Sequence, residues 1–374
     1  MHIETDFESA AIERIDDTDG PQLRLRLRAD NAAHFAQWFA FELTDLPAQG
    51  VDVRIEGLSN SSYPNGWIDY RVCMQAAEQP DAAWHRISTT LEHDALVFNA
   101  PGTLGRLRFA YYPTFDAAAE DAVVALATDA GARVEQLGPS PLGEPIRMLT
   151  FAPAAPRARL WFMARQHPGE SQGGYCVEAI VRALCGDLRT VWAEGGVAVH
   201  VVLDINPDGV RLGNLRTNAR GANLNRCWDH DYAEAPETGF VRARMHALGV
   251  DLLVDFHGDE VLPYIFSVGA DGSPAWTPRL QALRRAFDDA LLERSPDFQT
   301  ERGYPVDRPD HASPRKCIPW VVQQFGALAL TIELPFKEIA DRPRVDGADA
   351  TAPARALGRA VLDAALTLVP ALRG

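Results

Sequence analysis

The sequence predicts a two-domain protein, in which a β-rich domain over residues 1–120 precedes a larger α/β domain over residues 121–374. Short segments with strand-like patterning follow one another in the first third of the chain. Longer apolar runs then alternate with helical segments in the remainder. A chain of 374 residues is also long enough to build two hydrophobic cores.

Five segments of the first domain have the pattern of short β-strands. Residues 23–30, "LRLRLRAD", alternate apolar and basic side chains, as a half-buried strand does. The other four segments lie at 34–46, 50–59, 69–76 and 105–113, with the turn signals "YPNGW" and "APGTLG" among them. Short strands at near-regular spacing, with no amphipathic helix between them, indicate a β-sandwich or a small barrel.

The second domain begins with an Ala-rich helix and then alternates strands with helices. Its near-continuous apolar runs are typical of strands covered on both faces; they are "IRMLTFA", "ARLWFMA", "VAVHVVLDI", "DLLVDFH" and "ALALTIELP". Helical segments such as "GGYCVEAIVRALC" and "PRLQALRRAFDDALLE" separate them, which predicts an α/β domain. Residues 302–320 are rich in proline and predict a long irregular loop, a feature that is often functional.

Composition and charge exclude several classes of protein. A net charge of −15 argues against nucleic-acid binding, which depends on clustered Lys and Arg. No apolar run reaches the roughly 18 residues of a membrane span, and the N-terminus lacks the pattern of a secretory signal. The five cysteines are widely spaced, which fits a reducing compartment. We therefore expect a cytoplasmic protein without membrane or nucleic-acid partners.

Two strand ends carry side chains that could bind a metal ion. His167 and Glu170 lie three residues apart in "HPGE", directly after an apolar strand, and His257 ends the strand "DLLVDFH". In open α/β sheets, binding sites form at the carboxyl ends of the strands. Two histidines and one carboxylate leave a coordination position open, which is the pattern of catalytic rather than structural zinc. Each motif alone is weak, since polar turns often contain such residues.

Other polar residues near strand ends predict a pocket for a carboxylate. Within the segment 203–228, residues 214–226 contain three arginines and four asparagines; they are Arg216, Arg220, Arg226, Asn214, Asn218, Asn223 and Asn225. Arginine offers a planar, bidentate pair of donors to a carboxylate, although a solvated loop would have the same composition. Glu333 interrupts the apolar strand "ALALTIELP", where it could be either an ion-pair partner or a general base whose pKa burial raises.

Taken together and in order, these motifs resemble the zinc carboxypeptidases of the M14 class. The motifs are "HPGE", "NPDG", "GNLR", "NLNR", "DFHG" and "TIEL". Longer segments, including "ARQHPGES", "RTNARGANLNRCW" and "IELPFK", are similar to the cytosolic carboxypeptidase branch, which is related to tubulin deglutamylases. The first domain contains matching segments such as "SYPNGW" and "FAYYPTF". The resemblance implies an N-terminal antiparallel β-sandwich followed by a zinc-carboxypeptidase-like domain with a central mixed sheet flanked by helices.

The resemblance also implies the roles of the reacting residues. His167, Glu170 and His257 match the ligands of one Zn²⁺ ion per chain. Glu333 matches the general acid/base, and Arg216 matches the arginine that polarises the scissile carbonyl. Asp255, two residues before His257 on the same strand, faces the same side. It could orient that ligand or form a structural hydrogen bond.

Substrate-binding residues follow from the same resemblance. Asn225 and Arg226 match the pair that holds the terminal carboxylate of the substrate, and Tyr304 is the best candidate for the family's substrate-site tyrosine. The implied substrates are therefore the C-termini of peptides or proteins. A preference for acidic C-terminal residues would need a cation in the side-chain pocket, for which the candidates are Arg220, Arg315 and Lys316.

Two other functions remain possible on the sequence. Zinc amidohydrolases of the aspartoacylase type share the HxxE…H site on a similar fold but cleave N-acyl amino acids. The N-terminal domain favours the carboxypeptidase instead. A non-catalytic peptide-binding protein would lack a ligand or the base, whereas all of them are present here.

Overall fold

A computed structural model of the chain describes residues 1–15, 22–78, 82–307, 311–340, 342 and 346–372. The β-rich domain contains ten strands in this described part: β1 (His2–Glu4), β2 (Glu13–Arg14), β3 (Gln22–Arg26), β4 (Ala40–Thr44), β5 (Val51–Glu56), β6 (Cys73–Ala76), β7 (His85–Arg86), β8 (Thr89–Glu92), β9 (Ala95–Ala100) and β10 (Leu107–Ala110). Two short 3₁₀ helices, Leu58–Asn60 and Pro64–Trp67, interrupt the connection from β5 to β6.

These strands form two five-stranded sheets, in the orders β1-β4-β10-β6-β7 and β2-β3-β5-β9-β8. The sheets meet through aromatic side chains, since the rings of Phe98 on β9 and Phe109 on β10 lie 5.3 Å apart. The predicted β-sandwich is confirmed. Its strand pairs are antiparallel except for β3 with β5, which run parallel.

The aromatic core of the sandwich continues into the second domain. Tyr111, which follows β10, is fully buried and stacks on Phe336 of the second domain with ring centroids 4.6 Å apart. The guanidinium of Arg86 donates a hydrogen bond to the carbonyl oxygen of Phe336 at 2.6 Å. Because Phe336 lies three residues after Glu333, this shared core fixes the β-sandwich close to one predicted catalytic residue.

The second domain is built on one mixed sheet of seven strands: β11 (Arg133–Pro139), β12 (Pro145–Phe151), β13 (Ala158–Ala164), β14 (Val197–Val202), β15 (Leu252–Asp259), β16 (Phe266–Val268) and β17 (Leu328–Pro335). Their order is β11-β12-β14-β13-β15-β17-β16. The four central strands run parallel, and β11, β12 and β16 pair antiparallel at the two sides. Every residue of β15 and β17 is buried, as their apolar sequences predict.

Helices flank this sheet, as predicted: α1 (Ala117–Asp129), α2 (Gln172–Cys185), α3 (Arg189–Ala193), α4 (Pro207–Leu212), α5 (Pro236–Leu248), α6 (Pro278–Arg294), α7 (Cys317–Phe325) and α8 (Ala352–Leu368). Two further 3₁₀ helices span Leu224–Arg226 and Val369–Ala371. Helix α2 packs on β13 and β15, α7 packs on β15 and β17, and α8 packs on α2. None of the helices in the described ranges has both the length and the apolar character that crossing a membrane requires.

The predicted irregular loop at 302–320 is only partly correct. Helix α7 begins at Cys317, inside that segment, while residues 308–310 lie outside the described residues. The prolines of this segment led to the prediction of a loop where α7 begins. Pro319 occupies the first turn of α7, where its missing N–H has no helical partner to lose.

Candidate active site

The predicted metal ligands lie at the carboxyl ends of two neighbouring parallel strands. His167 and Glu170 are in the turn that joins β13 to α2, and His257 is near the end of β15. Strands β13 and β15 are paired, with Ala164 opposite Phe256, so both ligand positions come to the same edge of the sheet. The side chains of all three residues are buried.

The three side chains converge on one point. Nδ1 of His167 lies 2.7 Å from Oε1 of Glu170, and Nδ1 of His257 lies 2.8 Å from Oε2 of the same carboxylate. The two Nδ1 atoms are 3.2 Å apart. These residues form a group whose donor atoms all lie within 4.8 Å of one another, as a metal site requires.

The outer nitrogen of each histidine ring contacts an oxygen atom. Nε2 of His257 lies 2.8 Å from Oδ2 of Asp255, and Nε2 of His167 lies 3.1 Å from Oδ1 of Asn223. An N–H donated to these acceptors leaves both Nδ1 lone pairs directed at the Glu170 carboxylate. Three acceptor groups that face one another need a cation between them. The site therefore fits a divalent metal ion, and a His₂Glu set with an open position is typical of catalytic zinc.

The charges around the histidines support the same conclusion. Burial lowers the pKa of His167 to about 4. Burial also acts to lower the pKa of His257, but the charges of Asp255 and Glu170 outweigh it and hold this pKa well above the usual range. The negative charges of Asp255 and Glu170 therefore favour a positive charge at this position, which a bound metal ion would supply.

Gln166, which the motifs did not indicate, connects the candidate metal site to the segment that contains Asn225 and Arg226. Nε1 of Trp228 donates to Oε1 of Gln166 at 2.7 Å, and Nε2 of Gln166 donates to Oδ2 of Asp255. Gln166 is fully buried, and it directly precedes His167. In the sequence, the position next to His167 is the only indication that Gln166 belongs to the site. The structure thus links His257 through Asp255 and Gln166 to the segment that contains Asn225 and Arg226.

Glu333 lies beside the predicted metal ligands. In the parallel pair of β15 and β17 it is directly opposite His257, and its Oε2 atom is buried with no hydrogen-bond partner among the described residues. Burial raises the pKa of Glu333 to about 8, and the charges of Glu170 and Asp259 act in the same direction. A buried, unpaired carboxylate with a pKa near neutrality can accept and return a proton.

Arg216 faces the same site from the segment that follows α4. The "NPDG" motif begins this helix. Asn206 caps it by accepting from the N–H of Gly209 at 3.2 Å, and Gly213, with a φ of 67°, ends it in the left-handed conformation. Burial acts against ionisation of the Arg216 guanidinium, but the charges of neighbouring groups, including Glu170 and Glu333, raise its pKa. Arg216 is therefore a permanent cation.

Asn225 and Arg226 lie on the 3₁₀ helix Leu224–Arg226. Oδ1 of Asn225 accepts from the N–H of Cys317 at 3.0 Å, which leaves the Nδ2 hydrogens for another partner. Burial lowers the pKa of Arg226, and the positive charges of Arg216 and Arg315 lower it further. Guanidinium groups that repel one another in a half-buried position favour the binding of an anion.

Tyr304 lies at the edge of the site. Its hydroxyl donates to Oδ2 of Asp259, and its ring packs edge-on against Phe266, with centroids 5.0 Å apart. Phe266 is opposite Glu333 in the antiparallel pair of β16 and β17. Tyr304 is 45% exposed overall, but the partial burial of its hydroxyl and the nearby charge of Glu333 raise its pKa, so the hydroxyl remains a donor.

The remaining polar candidates have structural contacts instead. Asn223 contacts His167 rather than an open pocket, and Nδ2 of Asn218 donates to Oε1 of Glu237 at 3.0 Å. Arg220 is exposed, and its guanidinium donates to the carbonyl oxygen of Ala233 at 2.6 Å. The guanidinium of Arg315 donates to the carbonyl oxygen of Arg226 at 3.1 Å. Lys316 is half-buried and directly precedes the residue that Asn225 contacts.

Comparison with known families covers most of the chain. Residues 3–112 match the model of the cytosolic carboxypeptidase N-terminal domain, and residues 122–342 match the model of the zinc carboxypeptidases of the M14 family. The chain belongs to the M14 zinc carboxypeptidase family. The family that the motifs predicted is therefore confirmed. Like other members, this carboxypeptidase is a metallopeptidase and a hydrolase.

Several relatives match this carboxypeptidase over nearly its whole length. An uncharacterised protein of Zymomonas mobilis is 32% identical over 347 residues, which cover 92% of this chain and 90% of that protein. A metallo-carboxypeptidase of Burkholderia cenocepacia is 35% identical with a TM-score of 0.92, covering 99% of both chains. A metallo-carboxypeptidase of Pseudomonas aeruginosa, solved in complex with (2-guanidinoethylmercapto)succinic acid, is 33% identical with a TM-score of 0.92, covering 100% of both chains. The N-terminal domain is thus a shared part of this architecture.

Proposed function

We propose that the protein is a zinc-dependent carboxypeptidase that hydrolyses the C-terminal peptide bond of peptides or proteins. The observation that supports this most directly is the convergence of His167, Glu170 and His257, with Glu333 on the adjacent strand. We propose that these three residues bind one Zn²⁺ ion. When bound, zinc polarises the scissile carbonyl and lowers the pKa of a water molecule to about 7.

Glu333 acts as the general base and then as the general acid. Its carboxylate takes a proton from the attacking water and returns it to the nitrogen of the leaving amino acid. Burial raises the pKa of Glu333 above that of an exposed glutamate, which favours its taking up a proton beside the proposed ligand His257. Arg216 donates hydrogen bonds to the carbonyl oxygen of the scissile bond, where negative charge develops as the water adds.

Asn225 and Arg226 hold the free carboxylate at the end of the substrate. The guanidinium of Arg226 supplies charge, and the Nδ2 hydrogens of Asn225 supply neutral donors. An internal peptide bond offers no anion at this position, so only the last residue is placed for cleavage. The succinic acid derivative in the Pseudomonas aeruginosa relative also contains carboxylates, which agrees with such a site. Tyr304 would contact the substrate from the side of Asp259.

A preference for acidic C-terminal residues is the finer part of the proposal. Lys316 is half-buried beside the Asn225 contact, and the positive charges of Arg216 and Arg315 already act on Arg226. A second carboxylate, on the side chain of the substrate's last residue, would lower the repulsion between these cations. Lys316 is the better candidate among the three predicted cations, because both Arg220 and Arg315 are exposed.

The substrates that we propose are peptide or protein C-termini in the cytoplasm. All five cysteines are unpaired in the structure, and four of them are buried, which agrees with a reducing compartment.

Mass spectrometry of peptides ending in Glu, Asp, Lys, Leu or Phe tests the proposed reaction. Zinc-loaded protein should remove single C-terminal residues, fastest from Glu and Asp. A chelator or the change Glu333→Gln should abolish the reaction. Hydrolysis of N-acyl amino acids with no shortening of any peptide would identify an amidohydrolase instead. Zinc binding without either reaction would identify a binding protein.

A further inference from the structure

The segment that contains Arg216 is held by the N-terminal domain. The main chain of Asn31 donates to Oδ1 of Asn214 at 3.0 Å, and Nδ2 of Asn214 donates back to Oδ1 of Asn31 at 2.7 Å. Arg28 donates to the carbonyl oxygen of Leu212 from the same side. Residues from two domains, about 180 positions apart in sequence, therefore form one hydrogen-bonded unit around this segment.

Asp30 is the centre of this unit. Its carboxylate accepts from the N–H of Leu215 at 2.6 Å, of Arg216 at 3.0 Å and of Thr217 at 2.9 Å, and from the Thr217 hydroxyl at 2.8 Å. Asp30 is 5% exposed, so water does not compete for these bonds. A buried carboxylate that accepts several N–H groups fixes the backbone that donates them. That backbone is Arg216 and its two neighbours.

Two aromatic rings of the N-terminal domain lie next to the guanidinium of Arg216. Its Cζ atom is 5.7 Å from the ring centroid of Phe35 and 5.9 Å from that of Tyr63. Cation–π contacts of this kind hold an arginine head group without using its N–H donors. Gln37 in turn fixes Tyr63, since Oε1 of Gln37 accepts from the Tyr63 N–H at 3.0 Å.

The same segment also touches the metal-binding turn. The N–H of Gly169 donates to the carbonyl oxygen of Leu215 at 2.9 Å, so the residue before Arg216 is bonded to the residue before Glu170. Asp30, which binds the N–H of Leu215, therefore sets the position of Arg216 relative to the metal ligands.

We propose that Asp30, Phe35 and Tyr63 are positioning residues for catalysis, through which the N-terminal domain places Arg216 against the scissile carbonyl. The inference rests on the proposed role of Arg216. It gives the N-terminal domain a function in the reaction itself. A buried carboxylate that accepts four hydrogen bonds from Leu215, Arg216 and Thr217 places this domain contact directly at the arginine.

The change Asp30→Asn tests this inference. The amide keeps the size of the side chain but replaces one acceptor oxygen with a donor that faces backbone N–H groups. We expect kcat for a C-terminal peptide to fall about 10- to 100-fold, with KM and zinc content unchanged, because Arg216 acts on the transition state. The matched control is Arg71→Gln, which breaks an interdomain ion pair of 3.2 Å with Glu338. This control should leave kcat unchanged.

A double-mutant cycle separates positioning from stability. If Asp30 acts through Arg216, Asp30→Asn should have no further effect on kcat in an Arg216→Ala background. Phe35→Leu, a change at a half-buried side chain, should behave in the same way and serves as the second variant if Asp30→Asn does not fold. An equal loss of kcat in both backgrounds, or an unchanged kcat in both single variants, would overturn the inference.

The cycle also distinguishes this inference from the proposed function. Arg216→Ala alone should lower kcat by about 100- to 1000-fold, as the loss of an oxyanion donor does. If it does so while the Asp30 and Phe35 variants remain fully active, the role of Arg216 stands and the positioning role is wrong. If Arg216→Ala is fully active, the role of Arg216 in the proposed function is wrong, and the positioning role falls with it.

Discussion

At the scale of single residues, the candidate metal site depends on side chains that orient its two histidines. Asp255 and Asn223 occupy the outer nitrogens of the two histidines, so that the inner nitrogens face the Glu170 carboxylate. Removing such an outer partner usually lowers metal affinity by about 10- to 100-fold, even though the partner never touches the ion. The three predicted ligands alone therefore do not define the candidate metal site.

The change Gln166→Leu tests the contact that links these groups. Leucine keeps most of the volume but breaks the bonds from Trp228 and to Asp255, and we expect zinc affinity to fall about 10- to 100-fold. Competition with a chelating dye would measure it. Gln281→Leu is the matched control, because Gln281 also accepts from a tryptophan, Trp276, at 2.9 Å but lies far along the chain in α6. Equal zinc affinity in wild type and Gln166→Leu would contradict the prediction.

Arg226 gives a prediction about the end of the substrate. We expect Arg226→Gln to lower kcat/KM for a peptide with a free carboxylate by about 100-fold, because the charged pair is lost. Steady-state kinetics should detect no comparable change for Arg220→Gln, in which an exposed arginine of the same segment loses a carbonyl contact. An Arg226→Gln variant that cleaves the free-carboxylate peptide at the wild-type rate would show that another group holds the carboxylate.

At the scale of elements, the metal-binding turn and the Arg216 segment are in close contact. A Cβ atom built on Gly169 would lie 2.9 Å from Cα of Leu215 and 3.0 Å from its carbonyl oxygen. Only glycine permits this approach, together with the hydrogen bond from its N–H to that oxygen. The "HPGE" motif thus needs its glycine for packing between two loops.

The change Gly169→Ala should therefore separate these two loops. We expect lower zinc content after dialysis and a lower thermal midpoint, since overpacking costs about 1–3 kcal/mol. The control is Gly239→Ala in α5, where the nearest neighbour of the added methyl group is 3.4 Å away and helix propensity favours alanine. If Gly169→Ala retains both zinc and stability, the contact with Leu215 does not position the turn.

Sequence patterns predicted the strands that are buried along nearly their whole length. The long apolar runs became the buried strands β12 to β15 and β17, and the ligand motifs fell at their ends. The edge strand β11 was missed because all seven of its residues are exposed or half-buried, which leaves no apolar pattern. The parallel pairing of β3 with β5 was missed as well, since pairing depends on chain topology rather than on the strand sequence.

At the scale of the whole molecule, the contacts that join the two domains could not be predicted. Asp30 is one acidic residue in a polar turn, and nothing near it in sequence indicates three N–H donors that lie about 185 residues away. The same is true of Phe35 and Tyr63. The motifs therefore indicated which side chains lie at the candidate site, whereas the contacts that join the two domains there required the fold.

A buried glutamate makes the stability of the molecule depend on pH. Glu237 is fully buried, and burial raises its pKa to about 7. Because the folded state then binds the proton more tightly than the unfolded state, this group stabilises the fold below its unfolded pKa of about 4.5. That stability is lost as the pH rises through 7. Above pH 7, the folded protein must bury an ionised carboxylate.

The change Glu237→Gln should remove this dependence. We expect the free energy of unfolding of the variant, relative to wild type, to rise by as much as about 3 kcal/mol between pH 5 and pH 8. Urea denaturation of both proteins with a chelator present would measure it, since metal binding then does not contribute. A difference that is constant over this pH range would show that Glu237 does not take up the proton on folding.

The central claim is that a single metal centre catalyses the release of C-terminal residues. A zinc titration tests this claim most directly. Metal-free protein would receive increasing zinc, and the release of one amino acid would be followed for a peptide and for its C-terminal amide. We predict that release from the free peptide rises linearly and stops rising at one zinc per chain, while the amide stays uncut. Release without zinc, saturation at another ratio, or equal cleavage of the amide would contradict the account.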